Sequence, residues 1–293
     1  MFAPAGAQVG WLVLAVVLHV CAQVSRGVAW RGVLAASWPE VTRRRVCAWY
    51  VCGAGLSGLL SARGGDAVRA TLAKRELPGA TWPALAGTLA AEASFESAFG
   101  AVLMVAAVWL GVGTLHGPSP VLLIGAALVL LAVAAVALRS RRVRRLAGEV
   151  GRGLAVLRTP GRCARQVLPW QVLSRTLRVG SATCFLLAFG LPVAPAVVLA
   201  ACAALGSGSA MPLPGAGPAA IGAALLVAIP LAAGHAIDHG DVASLAIVWP
   251  TALTAVGITL SLTLLAVLCG ARTPRALVRA ARSLRPQPAP IVP

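Results

Sequence analysis

The sequence predicts an all-α integral membrane protein, a polytopic helical bundle of seven or eight membrane segments. The chain has 293 residues, of which 59% are hydrophobic and only 11% are charged, and its mean hydropathy is +0.86. Soluble domains carry about 25% charged residues, and a soluble chain of this length has no core large enough to bury so much apolar surface. The apolar segments lack strict two-residue alternation, which favours helices over barrel strands.

The positive charge is confined to four stretches of the chain. All 25 basic residues lie within residues 26–45, 63–75, 139–178 and 272–285. Basic loops between apolar blocks are the positive-inside pattern of plasma-membrane proteins, whereas nucleic-acid binders carry basic residues among aromatics on a folded face. We therefore expect a multi-pass protein of the plasma membrane with a cytoplasmic C-terminus and no nucleic-acid partner.

Eight apolar segments are candidates for membrane helices, since a helix needs about 20 mostly apolar residues to cross the bilayer. They are residues 9–25, 46–62, 83–112, 119–138, 171–190, 193–210, 218–234 and 244–269. We expect one helical membrane domain over residues 1–271. It contains a basic cytoplasmic loop at 139–170 and is followed by a basic, Pro-rich cytoplasmic tail at 272–293.

Apolar residues recur among the arginines of the 139–170 loop, at Leu146, Val150, Leu154 and Leu157. This spacing indicates either an amphipathic helix on the anionic cytoplasmic leaflet or an ordinary basic loop. Both alternatives place the stretch on the cytoplasmic side.

The segment 46–62 is ambiguous because basic stretches flank it on both sides. A single crossing here puts one of those stretches outside, against the positive-inside rule. The alternative is a re-entrant segment, with a helix break at the glycine- and serine-rich positions Gly53, Gly55, Ser57 and Gly58. The charge pattern slightly favours the re-entrant form.

Two carboxylates stand four residues apart in the third apolar segment, at Glu92 and Glu96. This spacing places both on one helical face, where they oppose each other's ionisation. A charged residue inside a membrane segment predicts a function, here a polar path. The alternatives are that both lie in water near the cytoplasmic end, are protonated, or pair with Arg63 or Arg69.

A charged triplet with three-residue spacing follows the ambiguous segment, at Arg63, Asp66 and Arg69. If helical, the three share a face. Arginines suit bidentate phosphate binding and the aspartate can hold them in place, so the triplet predicts a lipid-phosphate site. The alternative is a short cytoplasmic loop with an internal ion pair.

The order of several motifs resembles the lysylphosphatidylglycerol synthase transmembrane-region family, a flippase-like membrane domain that also occurs without its aminoacyl-transferase domain. The Arg26 to Arg31 stretch resembles the family's Arg-Trp element. Ser61 to Arg69 resembles its Pro-x-Arg-x-Gly-Glu-x-x-Arg stretch, and Glu92 to Glu96 its Glu-Arg-x-x-Asp helix motif. Pro212-Leu213-Pro214-Gly215-Ala216-Gly217 resembles its late Pro-Gly-Gly-x-Gly element, so Pro212, Pro214, Gly215 and Gly217 are the expected helix break. The likeness covers roughly residues 10–270.

The chain departs from the family pattern at several motif positions. Ser61 replaces Pro, Asp66 replaces Glu, Ala93 replaces Arg and Glu96 replaces Asp. No acidic residue lies between Gly206 and Ile237, where the family carries a Glu. These departures concern the transport activity rather than the membrane fold.

The resemblance implies translocation of an anionic or polyprenyl-linked lipid for envelope biogenesis. Its implied partners are membrane lipids, either anionic phospholipid or polyprenyl-phosphate lipid. We expect a stand-alone membrane domain that is not an enzyme. One alternative is a non-transporting membrane partner of an envelope glycosyltransferase or lipid-modifying enzyme, and another is a small-solute transporter. No cofactor and no metal site are predicted, because the cysteines show no CxxC spacing.

Overall fold

The computed structural model describes residues 5–60, 62–109, 148–210, 221–226, 228–229 and 239–268. These residues form helices joined by turns, and they contain no strand. The helices are α1 Ala5–Leu34, α2 Arg43–Leu60, α3 Ala62–Glu76, α4 Trp82–Trp109, α5 Pro160–Gln166, α6 Leu168–Ala188, α7 Pro195–Ala210 and α8 His239–Leu268, with a 3₁₀ helix at Ala155–Arg158. The all-α class is as predicted.

Two of the described helices are long and apolar enough to cross a membrane by length and composition. They are the stretches Val9–Leu34 of α1 and Gly240–Leu268 of α8. The predicted total of seven or eight membrane segments is therefore not established by these two. Both helices carry exposed apolar side chains: Val9, Trp11, Val13, Leu14 and Val17 on α1, and Ile247, Val248, Leu262 and Val267 on α8.

The ambiguous segment 46–62 is one arm of an antiparallel helical hairpin formed by α2 and α3. Trp49 of α2 donates a hydrogen bond to Glu76 at the end of α3, 3.2 Å away, and Arg45 forms a 3.0 Å ion pair with the same carboxylate. Gly53 lies against Gly65 nearer the tip. The chain thus enters and leaves this hairpin at the same end.

The expected helix break at the glycines of α2 does not occur. Gly53, Gly55, Ser57 and Gly58 all lie within the continuous helix. Gly53 and Gly55 instead allow close helix packing, because a Cβ at Gly53 would collide with the Gly65 carbonyl and one at Gly55 with the Gly257 carbonyl of α8. Small residues let membrane helices approach in this way.

The stretch 63–75, for which the sequence left open a helix and a short cytoplasmic loop, is helical and forms most of α3. Its charged residues conceal the apolar face of this helix, which packs Ala70, Leu72 and Ala73 into the apolar interior. Of the basic residues of α3, only Lys74 and Arg75 lie in its last turn. Arg63 lies near the hairpin tip, about 20 Å along the helix from Glu76 at 1.5 Å per residue.

The helix α1 packs along α6 in an antiparallel manner. Ser174 donates a hydrogen bond to the Ala22 carbonyl over 3.0 Å, and Ser181 donates one to the Ala15 carbonyl over 2.8 Å. The register of α8 on α2 is fixed similarly, since Ser261 donates to the Val51 carbonyl over 3.0 Å. Small hydroxyl side chains thus replace apolar contacts where the backbones approach.

One end of the molecule, which we call the basic end, is where α1 and α3 finish and α2, α4 and α6 begin. Trp38 donates to the Pro78 carbonyl, Ser37 to the Arg152 carbonyl and Arg162 to the Ala35 carbonyl, at 3.1, 2.8 and 2.9 Å. These bonds tie together the turns at this end. The exposed arginines here are Arg43, Arg44, Arg45, Arg75, Arg152, Arg158 and Arg165.

The described part of the 139–170 loop, residues 148–170, is not one amphipathic helix. A helix ends at Gly153, the 3₁₀ helix follows, and α5 and the start of α6 complete the stretch. Val156 and Val167 are buried in the core beside α1, while Leu157 is exposed. The tail at 272–293 lies outside the described residues.

The apolar interior is divided into two cores at different heights. One core lies at the basic end and joins the last third of α1 to α2, α3 and α4, including Trp30, Trp49 and Leu85. The other joins Ala15 of α1 to α6, α7, α8 and residues 221–226 and 228–229, including Phe185, which stacks on Trp249. A set of charged residues lies between these cores.

Candidate functional site

Charged side chains from four helices and a tyrosine from a fifth meet at one height in the bundle. Counted at about 1.5 Å per residue, Arg26, Tyr50, Arg69 and Arg175 lie roughly 10–12 Å along their helices from the basic end, and Glu92 about 15 Å. The helices deliver these residues to one level although the residues are far apart in sequence. We call this set the polar layer: Arg26, Tyr50, Asp66, Arg69, Glu92, Glu96, Arg175 and Arg178.

Glu92 is the most enclosed member of the polar layer, with 2% of its side chain exposed. One carboxylate oxygen, Oε1, accepts hydrogen bonds from Arg26 at 3.0 Å and from the Tyr50 hydroxyl at 2.9 Å. The other oxygen, Oε2, accepts a short bond from Arg69. Two guanidinium groups and a phenol therefore balance this carboxylate, as burial of a charge requires.

Glu96 is a second and more open centre, one helical turn along α4. Its Oε1 lies 2.8 Å from Arg26 and 2.9 Å from Arg175 of α6. Arg26 thus bridges both carboxylates, and Arg175 connects them to α6. The expectation that Glu92 and Glu96 share a helical face agrees with this geometry, but each carboxylate is paired with arginines rather than left to oppose the other.

Two carboxylates and two aromatic rings surround the guanidinium group of Arg69. It contacts Asp66 at 2.7 Å as well as Glu92. Its guanidinium carbon lies 4.7 Å from the centre of the Tyr50 ring and 5.0 Å from that of Trp30. Such cation–π contacts suit a desolvated arginine. Asp66 is the open end of this chain of ion pairs, with 47% of its side chain exposed.

Arg178 follows Arg175 on α6, and no carboxylate among the described residues lies within ion-pair distance of it. It is near enough to Arg26, Glu96 and Tyr50 to interact with them electrostatically. Its Nε atom is buried and has no hydrogen-bond partner in the described structure. His19, which is hydrogen-bonded to Gln23 over 3.1 Å, also faces Arg178 and Arg26.

The polar layer therefore carries an excess of positive charge. Four arginines stand against three carboxylates: Arg26, Arg69, Arg175 and Arg178 against Asp66, Glu92 and Glu96. The chain has eight acidic residues, and Asp238 alone of these lies outside the described residues.

The structure brings together four of the five charged residues predicted for the site. Asp66, Arg69, Glu92 and Glu96 all lie in the polar layer, and the suggested pairing of Arg69 with Glu92 is present. Arg63 lies in α3, two turns from Arg69 and nearer the hairpin tip. The predicted helix break at Pro212, Pro214, Gly215 and Gly217 lies outside the described residues.

Sequence reasoning did not assign Tyr50, Arg175 and Arg178 to the site, and it treated Arg26 as part of a motif without a partner. The two α6 arginines were grouped with the loop arginines that precede them. One signal was present: Arg175 and Arg178 fall within the apolar segment 171–190, and charge inside a membrane segment predicts function. Tyr50 carried a similar signal, as the single tyrosine of the chain.

Comparison with known proteins identifies one family. The model described as "Lysylphosphatidylglycerol synthase TM region" matches residues 3–249. No curated protein matches the chain, and no solved structure does. The matched range spans α1 to the first third of α8 and so includes the entire polar layer.

Proposed function

The chain belongs to the lysylphosphatidylglycerol synthase TM-region family, membrane domains related to lipid handling, and from this premise we propose that it moves an anionic or polyprenyl-linked lipid between the leaflets of the plasma membrane. The basic end then faces the cytoplasm, in keeping with the positive-inside rule. The observation that carries the proposal is the polar layer, an ionic network buried at membrane depth.

The energetic reason is that a buried ionic network is an expensive way to hold helices together. Replacing a buried ion pair by well-packed apolar residues is often neutral or stabilising by about 1–4 kcal/mol. Charges retained within membrane helices mark substrate paths or proton relays by default. The two apolar cores already join the helices on either side of the polar layer, so a purely structural role for it is not needed.

The arrangement of the ion pairs supports a path for a charged headgroup. Contacts run without interruption from the half-exposed Asp66 through Arg69, Glu92 and Arg26 to Glu96 and Arg175. Each inner carboxylate touches two arginines, so a guanidinium can exchange one anionic partner for another without being left unpaired. A phosphate passing along this series would meet a cation at every second member, at Arg69, Arg26 and Arg175.

We assign the entry step to Arg69, with Arg63 as the outer arginine of the same helix. The lipid phosphate replaces Asp66 as the outer partner of Arg69, because Asp66 is the exposed carboxylate of the two and gives way at the smaller desolvation penalty. Glu92 and Glu96 then line the path. The proposed helix break at Pro212, Pro214, Gly215 and Gly217 would offer free backbone groups at membrane depth.

The test is lipid translocation by the purified protein alone in proteoliposomes. We expect a fluorescent phosphatidylglycerol analogue to exchange between leaflets faster than in protein-free liposomes. Arg69→Lys keeps the charge but loses the bidentate fork, so it should slow exchange by at least tenfold, equivalent to about 1.4 kcal/mol. Arg165→Gln is the matched control, since Arg165 is exposed at the basic end.

Exchange no faster than in empty liposomes would overturn the transport proposal. Co-purification of the inactive protein with an envelope glycosyltransferase or lipid-modifying enzyme would then favour the alternative, a non-transporting membrane partner. Equal exchange by the Arg69→Lys and Arg165→Gln variants would remove Arg69 from the path while leaving transport itself in place.

A further inference from the structure

We infer that Arg178 is the centre of an inner anion subsite between α1 and α6 that binds a phosphate group carrying a single negative charge, as in a phosphodiester headgroup. This deepens the proposed function, because it names the resting place and charge class of the headgroup. It differs from the entry step at Arg69, which lies on α3 on the other side of Glu92. The position of Arg178, the charge balance of the polar layer and a group of unpartnered polar atoms support this subsite.

The position follows from the α1–α6 register. Ser174 is bonded to the carbonyl of Ala22 and Ser181 to that of Ala15, so Arg178 lies between these contacts at the height of His19. Gly180 packs on Leu18 on the same interface. Arg178 thus lies at the height of the gap between the two apolar cores, and its side chain is partly exposed.

Charge balance gives the class of ligand. The three carboxylates of the polar layer are each engaged by Arg26, Arg69 or Arg175, and Arg178 is the cation left over. An uncompensated cation at membrane depth is strongly unfavourable. One negative charge neutralises the layer, whereas a phosphate monoester or a diphosphate brings two or more and leaves an excess of negative charge.

Unpartnered polar atoms are concentrated on the two helix faces that flank Arg178. In the described structure the buried atoms without a hydrogen-bond partner include Nε of Arg178, both amide atoms of Gln171, Oε1 of Gln23 and Nε of Arg26. Gln171, Arg175 and Arg178 share a face of α6 by their spacing, as Gln23 and Arg26 do on α1. Buried polar groups are normally satisfied, so the three donors among these atoms, Nε of Arg178, Nε of Arg26 and Nε2 of Gln171, are free to bind the oxygens of a polar ligand.

Two molecules offer the phosphate group that this subsite binds: a lipid headgroup and free inorganic phosphate. We expect the lipid, because the acyl chains of a bound phospholipid remain in the bilayer beside α1 and α6 while its phosphodiester reaches Arg178. Inorganic phosphate shares the oxygens but has no apolar part to hold it at this depth. Binding experiments separate the two.

The experiment measures lipid retention by native mass spectrometry of the full chain in nanodiscs containing phosphatidylglycerol and phosphatidylcholine. We expect phosphatidylglycerol to stay bound after release from the nanodisc, and Arg178→Gln to lower its retention at least tenfold, with Arg165→Gln unchanged. Added inorganic phosphate at millimolar concentration should not displace the lipid. Displacement by phosphate would show that the site binds the free ion, and would overturn the lipid assignment.

A charge-swap series keeps the inference testable if Arg178→Gln folds poorly. Glu96→Gln removes one negative charge, so it should raise phosphatidylglycerol retention. The double variant Arg178→Gln with Glu96→Gln restores the original net charge and should fold, yet retain little lipid, because the guanidinium is missing. Full retention by the double variant would overturn the role of Arg178.

The binding readout also separates this inference from the transport proposal. Normal lipid exchange with unchanged retention in Arg178→Gln would remove the inner subsite and leave transport in place. Specific retention that depends on Arg178, without any lipid exchange, would keep the subsite and reject transport.

Discussion

At the scale of single residues, the molecule depends on the way Glu92 is enclosed. It is a buried carboxylate that three side chains from α1, α2 and α3 satisfy together. The same atoms therefore join four helices, since Glu92 itself belongs to α4. A contact of this kind makes the polar layer a structural unit as well as a candidate path, and the two roles separate by experiment.

We expect Glu92→Gln to destabilise the protein by about 3 kcal/mol, because breaking a buried ion pair leaves an uncompensated charge behind. Arg26 still forms its ion pair with Glu96, and Arg69 still forms its ion pair with Asp66, so the variant should still fold. Thermal unfolding in detergent measures the change. The control is Glu149→Gln, whose exposed partner Arg152 lies 3.8 Å away and whose loss should change stability by about 0–1 kcal/mol. Equal effects in the two variants would contradict the assignment.

At the scale of elements, glycines rather than apolar side chains determine where α8 meets the α2–α3 hairpin. A Cβ at Gly55 would collide with both the Gly257 carbonyl oxygen and the Ser261 hydroxyl. The hydrogen bond from Ser261 to the Val51 carbonyl depends on this close approach. Backbone contact therefore holds the hairpin against α8. Adding a single methyl group at Gly55 should push the two apart.

We expect Gly55→Ala to destabilise the protein by about 1–3 kcal/mol, the usual effect of overpacking. Gly10→Ala is the matched control, because nothing lies within 4 Å of a Cβ at Gly10. Alanine there should stabilise the helix by about 0.5–1 kcal/mol. Thermal unfolding of the two variants in the same detergent should shift in opposite directions, and a shift in the same direction would argue against the contact.

The helical hairpin also predicts where its two outer ends lie. Glu40→Cys, before α2, and Pro78→Cys, after α3, should both react with an impermeant thiol reagent from the cytoplasmic side, in a chain whose native cysteines are replaced. Val193→Cys, in the turn after α6, should react from the other side. Labelling of Glu40→Cys and Pro78→Cys from opposite sides would contradict the hairpin, because its two ends lie at the same end of the molecule.

At the scale of the whole molecule, the exposed arginines of the basic end form a surface that faces one leaflet. Juxtamembrane basic residues contribute about 1 kcal/mol each on an anionic surface, within a Debye length. We expect the melting temperature to be higher in nanodiscs with phosphatidylglycerol than with phosphatidylcholine alone. The difference should shrink between about 0.05 and 0.5 M salt, because these charges are exposed.

A matched control separates this surface effect from binding at the polar layer. Replacing Arg43, Arg44 and Arg45 together by Gln should reduce the salt-sensitive part of the melting difference. Arg178→Gln should reduce the salt-insensitive part, since its guanidinium is largely enclosed. If the difference in melting temperature changes neither with salt nor in the triple variant, the role of the basic end is contradicted.

Some of this architecture follows from the sequence and some does not. The charge pattern around 46–62 suggested a chain that returns to its starting side, and the acidic pair Glu92 and Glu96 suggested a buried polar site. For α3 the sequence left a helix and a loop open, because charged residues interrupt its apolar positions. The partners Arg26, Tyr50 and Arg175 could not be inferred, because their meeting depends on the register of helices that are far apart along the chain.

The placement of two arginines in α6 has a consequence for the order in which the protein is made. The ribosome delivers α1 to α4 first, and within the polar layer they contribute Arg26 and Arg69 against Asp66, Glu92 and Glu96, an excess of one negative charge. The helix α6 is not among the described helices that are apolar enough to cross a membrane by composition. Each arginine opposes its insertion by about 2.5–3.5 kcal/mol. We expect Glu96 to supply the counter-charge for Arg175, so that α6 inserts as the second half of an ion pair.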